Sequence, residues 1–513
     1  MKHVRRKEYQ VQVISGNIAE MSVDAVVVNL FEGVQQPGGA TGAMDRALEG
    51  AISQLIADGD IKGKYGETTL VHSLGKIRAK RVIVVGLGKP PEFTLDRARN
   101  LSAEVARYLR RIGTQRAATI VHGAGIGGLD PEAACQALVE GIILGLYRFR
   151  ELKTGNNDDD KDLREFSIVE MDASKLAELD RGAERGRILA EATNVAKDMC
   201  NRPANLMTPT DMANVAQDVA SRYGLECKVF GKDEIAKMGM GALLGVAQGS
   251  EQPPKFITLS YNGGPEASGR PTLGLLGKGV TFDSGGISLK PADGMANMKT
   301  DMSGGAAVIG AMQAIAQLKP KINVMGIVPA TENLPGGCAV KPGDILKSMS
   351  GKSIEVVNTD AEGRLILSDA IAYAKQQNLR PLVDVATLTG ACSVALGPYY
   401  SGVMGNNQEA IYKVLKAAKV AGEKMWQLPM DDDYKELIRS DVGDIKNSAT
   451  GRAGGAITAA HFLAEFSGDT PWVHLDIAPT ARSDRDRGAI SKGSTGVATR
   501  TLVQLALMLA SEE

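Results

Sequence analysis

The sequence predicts a two-domain α/β protein, a smaller N-terminal domain followed by a larger one with a mostly parallel central sheet. Three observations predict it. The chain has 513 residues, more than one ordinary hydrophobic core organises. Short apolar runs rich in Val and Ile alternate with segments of 3.6-residue periodicity, the pattern of a parallel sheet covered on both faces. A polar, acidic interruption at 153–163 (Lys-Thr-Gly-Asn-Asn-Asp-Asp-Asp-Lys-Asp-Leu) reads as a solvated loop near a domain edge.

In the first domain, taken as 1–165, residues 11–14, 24–29 and 81–86 read as strands and 97–111 as a helix. A connecting helix region follows at 166–200. There Ile188, Leu189, Ala192, Val195, Ala196 and Met199 share one helical face, and Asn201-Arg202-Pro203 ends the run. In the second domain, 201–513, strands are expected at 256–260, 272–276, 322–328, 354–357, 382–387 and 472–477. Helices are expected at 303–317, 364–377, 456–466 and 498–510.

Bulk properties exclude several classes. Hydrophobic residues make up 43% and charged residues 23%, with a formal net charge of −1, so neither a dedicated nucleic-acid binder nor a membrane-surface protein is indicated. No apolar run reaches membrane-spanning length and no secretory h-region follows the basic N-terminus. Five scattered cysteines (Cys135, Cys200, Cys227, Cys338, Cys392), an odd number without a C-x-x-C pair, fit a reducing cytoplasm rather than a disulfide framework.

The chemistry is concentrated in two Gly-rich stretches. One runs from Gly277 through Lys278 and Asp283 to Gly286, and continues to Lys290 and Asp301. The other is Asn358-Thr359-Asp360-Ala361-Glu362-Gly363-Arg364-Leu365. Carboxylate oxygens gathered in this way repel one another unless cations lie between them. The cluster therefore points to divalent metal, as two ions, and to metal-assisted hydrolysis. In open α/β sheets ligands bind beyond the carboxyl ends of strands. Lys278 and Asp283 follow one expected strand, Asp360 and Glu362 another, and Thr387 and Gly390 end a third.

Each residue also has a plainer reading. Asp301 and Asp360 precede helices and could simply cap them. Capping does not account for Lys278 before Asp283, or for Glu362 two residues after Asp360. Lys278 and Lys290 could be surface lysines, but a lysine beside metal ions can lose its proton and ligate through nitrogen. None of the five histidines forms H-E-x-x-H, which argues against a His-based zinc protease; His474 reads as a core or near-site residue. Gly86-Leu87-Gly88-Lys89 lacks the rest of a phosphate loop, and Pro37 to Gly42 reads as a turn. Arg107, Arg110, Arg111 and Arg116 read as a solvated basic face, without the interleaved aromatics of a nucleic-acid surface.

The octapeptide Asn358 to Leu365, NTDAEGRL, resembles the diagnostic motif of the leucyl (cytosol) aminopeptidase family. A second match runs from Gly277 to Gly286, then through Lys290-Pro291 and Met298 to Gly304, with no departure at a metal or catalytic position. The resemblance implies a macro-like α/β N-terminal domain with an assembly or regulatory role, and a catalytic dimetal peptidase domain. It implies one metal ion on Lys278, Asp283, Asp301 and Glu362 and a second on Asp283, Asp360 and Glu362, aided by the Asp360 carbonyl. Carboxylates that bridge such a pair hold the ions about 3.5–4 Å apart. Mn²⁺ or Zn²⁺ would serve. Lys290 would stabilise the oxyanion, and Arg364 would hold a bicarbonate ion as general base. Met298, Asn358, Thr387, Leu388 and Gly390 would line the substrate pocket, where Met298 suits Leu-like side chains. The family's state is a cytoplasmic homohexamer acting on peptides. A two-metal phosphoesterase, or an added DNA-binding role, are the alternative readings.

Overall fold

The computed structural model describes residues 9–125, 127–154, 162–264, 272–451 and 453–511. The chain forms two compact units. The first contains the residues through Glu191 together with Arg485–Ser491; the second contains Ala192–Asp484 and Lys492–Glu513.

The first unit is built on a six-stranded sheet in the order Gln10–Ser15, Glu165–Glu170, Arg116–Thr119, Ala25–Phe31, Arg81–Gly88, Thr68–His72. All neighbours are parallel except the last pair. The central strands are apolar on both faces. Ala25 and Val27 enter one core with Ile83, Val85 and Leu87, while Val26, Val28 and Leu30 enter the opposite core with Val82 and Val84. Thr94 caps the helix Leu95–Arg111 by accepting from Arg97 N.

Three details depart from the sequence reading. The strand Glu165–Glu170 is held between two others, so this unit cannot end at residue 165. Of the expected loop, residues 155–161 lie outside the described residues, and Leu163 beyond them is buried in the core. The basic face is only half solvated. Arg110 is buried and donates to Leu146 O, and Arg107 donates to Gly488 O and Ile490 O, leaving Arg111 and Arg116 exposed.

The helix Leu176–Asn201 starts well before the periodic stretch at 188–199 and stops where Pro203 disfavours helical backbone. Its C-terminal part opens the second unit, whose nine-stranded sheet runs Met425–Gln427, Ser401–Gly405, Trp472–Asp476, Leu382–Ala386, Leu273–Gly277, Asn323–Asn333, Lys255–Asn262, Glu226–Phe230. Gly279–Asp283 is attached to Asn323–Asn333. The four strands from Trp472–Asp476 to Asn323–Asn333 are mutually parallel, and the antiparallel pairings lie outside them. The helix Ser303–Leu318, buried along nearly its whole length, packs on Leu382–Ala386, Leu273–Gly277 and Asn323–Asn333. Leu365, Ile366, Phe462 and Leu463, from the helices Glu362–Gln376 and Gly455–Ser467, share a core with Leu276, Leu382 and Trp472.

The strand expected at 354–357 is shorter and belongs elsewhere. Ser353–Glu355 joins a separate three-stranded sheet, between Ile345–Lys347 and Ile445–Lys446. Asp360 and Glu362 therefore reach the site from this small sheet rather than from the main one. Asp283 likewise ends a strand of its own, opposite Asn333. All five cysteines are free thiols. Among the described residues no helix is long and apolar enough to cross a membrane.

Candidate metal centre

Lys278 immediately follows the strand Leu273–Gly277, and its amide donates to Val385 O at 3.0 Å. Its side chain, 4% exposed, places Nζ 2.7 Å from both Asp301 Oδ2 and Glu362 Oε1 and donates to Thr387 O at 3.0 Å. Gly363 permits this path. A Cβ there would lie 2.7–2.8 Å from the end of the Lys278 side chain. Asp301 precedes the helix Ser303–Leu318, Glu362 opens the helix Glu362–Gln376, and Thr387 Oγ1 donates to Asp301 Oδ1 at 2.7 Å.

Asp283 joins the same cluster. Its Oδ1 accepts from Gly285 N and Asn333 Nδ2, each at 2.9 Å, and its Oδ2 lies 2.7 Å from Lys290 Nζ. Gly285 and Gly286 have φ of +89° and +67°, a left-handed pair that turns the chain so that Lys290 comes back over the carboxylates. Lys290 also contacts Asp360. Asp283, Asp301 and Glu362 are all buried and bring one oxygen each to within 4.8 Å of one another. Glu362 Oε2 is buried without a hydrogen-bond partner.

The charges conflict. Burial raises the Asp283 pKa, and Glu362 raises it further; burial pushes Asp301 well above the ordinary carboxylate range and raises Asp360. Burial opposes the charge on Lys278, but Asp301 and Glu362 outweigh it and hold the ammonium protonated. For Lys290, Asp283 and its neighbours outweigh burial in the same way. Four carboxylates thus share two ammonium groups. Hard oxygen donors, a spare buried carboxylate oxygen and excess negative charge fit divalent cations.

Arg364, though near, pairs with none of these acids. One guanidinium nitrogen donates to Asn447 O at 2.7 Å, while Nε is buried and unpartnered; burial lowers its pKa to about 10. Asn358 accepts from Asp360 N through Oδ1 at 2.9 Å. Met298, half-buried, sits on the 3-10 turn Met295–Thr300, where its carbonyl accepts from Asp301 N at 3.2 Å. Leu388 and Gly390 stand in the turn after the strand Leu382–Ala386, with Gly390 exposed at the start of a helix.

Three supporting residues had no sequence signal. Asn333 joins Asp283 to Thr359 O. Asp476 accepts from Leu388 N, Thr389 N, Ala478 N and Thr389 Oγ1, fixing the turn beside Thr387. Asn447 grips the turn that carries Asp360. The buried His474 leans on Asp384, Nδ1 to Oδ1 at 2.6 Å, as a core residue of the sheet.

The family model described as "Cytosol aminopeptidase family, catalytic domain" matches residues 194–503, and that of the family's N-terminal domain matches 27–156. A "Probable cytosol aminopeptidase" of Alkaliphilus metalliredigens is 46% identical over 496 residues, covering 96% of this chain and 98% of that protein. One of Solibacter usitatus is 48% identical, covering 97% and 99%. Among solved structures, a mutant of tomato leucine aminopeptidase superimposes with a TM-score of 0.87 at 30% identity, covering 98% of this chain and 97% of that one. The bottromycin maturation enzyme BotP in complex with Mn superimposes with a TM-score of 0.84 at 32% identity, covering 95% and 100%. With both domains matched in order, and the acidic centre lying inside the catalytic match, this chain belongs to the cytosol (leucyl) aminopeptidase family.

Proposed function

We propose that this metal-dependent aminopeptidase works with two divalent cations and releases Leu and other apolar residues from the N-termini of peptides. The observation that carries the two-metal reading is the buried convergence of Asp283, Asp301 and Glu362 with a carboxylate oxygen left unpartnered. In this reading Lys278, as the free amine, joins Asp283, Asp301 and Glu362 around one cation. Asp283, Asp360 and Glu362, with the Asp360 carbonyl, hold the other. Manganese or zinc suits the donor set, and the Mn named with BotP favours manganese. When bound, the cations polarise the scissile carbonyl, anchor the free α-amine and make a water acidic enough to lose its proton near neutral pH.

The chain's own groups do the rest. Lys290, which contacts both Asp283 and Asp360, is the ammonium assigned to the developing oxyanion. Arg364, with Nε unpaired, has donors to spare for a bicarbonate ion that takes the water's proton. Thr387 donates to Asp301 through its hydroxyl and accepts a hydrogen bond from Lys278 Nζ at its carbonyl, which orients both. Met298, Asn358, Thr387, Leu388 and Gly390 are assigned to the substrate pocket. We assign the protein a homohexameric state in the cytoplasm, on family membership alone. No nucleic-acid partner is proposed, because Arg107 and Arg110 are engaged internally.

Metal-stripped protein assayed on a panel of aminoacyl amides, with each divalent ion added back, tests this reading. Activity should return with two ions per chain, favour Leu and Met, and vanish on N-acetylated substrates. Equal kcat/KM for free and blocked peptides would overturn it.

A further inference from the structure

Asn447 lies in no motif, yet it makes more polar contacts with the catalytic turn than any of the residues the motifs single out. The two-residue strand Ile445–Lys446 runs parallel to Ser353–Glu355, with Ile354 opposite Ile445 and Glu355 opposite Lys446. The pairing continues one step further, as Asn447 N donates to Glu355 O at 2.9 Å. That step brings the Asn447 side chain against the turn leaving the strand. Oδ1 accepts from Val357 N at 2.9 Å and Asn358 N at 3.3 Å. Nδ2 donates to Asn358 O at 2.7 Å and Ala361 O at 3.4 Å. Its own carbonyl accepts from Arg364.

An asparagine amide has two donor hydrogens and two acceptor positions, and all four are used. The residue is 0% exposed, so no water would replace these bonds without cost. The opposite side of the turn is held by Asn333 on Thr359 O and by Ser288, whose amide donates to Thr359 Oγ1. The turn is thus clamped from two sides. Between the clamps lie Asp360 and the start of the helix that carries Glu362 and Arg364.

We infer that Asn447 is a positioning residue for the reaction: its amide sets the Val357–Ala361 turn that presents Asp360 and Glu362, and its carbonyl fixes one side of the Arg364 guanidinium so that the remaining donors face the site. Upstream, Ser440 anchors the same segment to Glu355 at 2.6 Å, and Asp444 binds Ser353 N at 2.7 Å. Both of these bonds end on the small sheet; of these residues, only Asn447 reaches the Val357–Ala361 turn. The inference rests on the roles proposed above for Asp360, Glu362 and Arg364.

The test uses the full-length protein and the variants Asn447→Ala, Asn447→Asp and Ser440→Ala. In metal-free protein, hydrogen exchange at Val357 and Asn358 should quicken by about tenfold or more in Asn447→Ala, the exchange expected when a buried amide loses its acceptor. In Asn447→Asp it should stay close to wild type, because a carboxylate still accepts both bonds. In metal-loaded protein, kcat should fall about 10²-fold in Asn447→Ala, the cost of a displacement near 1 Å, with KM within about threefold. Asn447→Asp should also lose kcat, since its donors to Asn358 O and Ala361 O are gone. Ser440→Ala should remain within about threefold on both measures. Unchanged exchange at Val357 and Asn358 in Asn447→Ala would overturn the inference. So would a rise in KM at constant kcat, or the same losses in Ser440→Ala. A wild type with two metals and no aminopeptidase activity would instead refute the proposed function, and the exchange data would still decide what Asn447 holds.

Discussion

Replacing Lys290 with alanine removes one ammonium from the centre and leaves every proposed metal ligand in place. Lys290 Nζ lies 2.7 Å from Asp283 Oδ2 and also contacts Asp360, so in the metal-free protein it neutralises part of the charge that cations would meet. Its loss makes the carboxylates more repulsive and more receptive to metal, so Lys290→Ala should bind two ions at least as tightly as the wild type. The catalytic effect runs the other way. The side chain is 20% exposed, and in this reading it turns to the reacting carbonyl oxygen, meeting full negative charge only as the tetrahedral state forms. Losing one such donor costs about 10²–10³ in kcat, or about 2.7–4 kcal/mol of barrier. KM should change by less than about threefold, because the interaction is made only in the transition state. Steady-state kinetics on Leu-amide together with metal analysis of the same preparation measure both. A kcat within about tenfold of wild type would remove Lys290 from the reaction, and loss of a metal ion would make it a ligand, exchanging its role with that of Lys278.

Two further outcomes follow from other parts of the chain. Glu362→Ala takes away the carboxylate placed in both metal sets, so metal content and activity should fall together in folded protein; two retained ions with full activity would refute the assignment. In the first unit, burial lowers the His122 pKa to about 4, and its Nδ1 takes a 2.9 Å hydrogen bond from Asn29, which only the neutral ring can accept. The folded value lies below the unfolded one, so this stabilisation is complete above about pH 6.5 and is lost as the pH falls towards 4, by about 3 kcal/mol in all. Native-state hydrogen exchange of the strand Ala25–Phe31 across that range, compared with His122→Gln, checks it; identical acid profiles would show that His122 titrates normally.

The strands most visible in the sequence are those buried on both faces, such as Ala25–Phe31 and Leu382–Ala386, where apolar side chains run without interruption. Thr68–His72, Ser401–Gly405 and Met425–Gln427 lack that signature, being edge strands, short, or broken by glycine. The helix Pro131–Leu146 escaped for the opposite reason. It is buried on almost every side, so its apolar residues show no 3.6-residue stripe. At the centre, Lys278, Asp283, Asp301, Asp360 and Glu362 were legible because ionisable side chains crowd two short segments. Asn333, Asn447 and Asp476 were not. They act by hydrogen bonds to backbone groups distant in sequence, and nothing in local composition distinguishes them from residues of a loop. The same holds for Ser353–Glu355. Its apolar character was visible, but which sheet it joins depends on a partner 91 residues away.

The return of Arg485–Ser491 to the first unit has a consequence for how the chain is made. Gly488 N and Ala489 N donate to Glu104 and Asn100, and Gly488 O and Ile490 O take the Arg107 guanidinium. The unit that leaves the ribosome first is therefore finished almost last. Until about 490 residues have emerged, the outer surface of the helix Leu95–Arg111 lacks its cover and one arginine lacks its carbonyls. A fragment ending after the long helix would keep the whole six-stranded sheet but not this seam, so the two units, distinct as compact bodies, are not separable as lengths of chain.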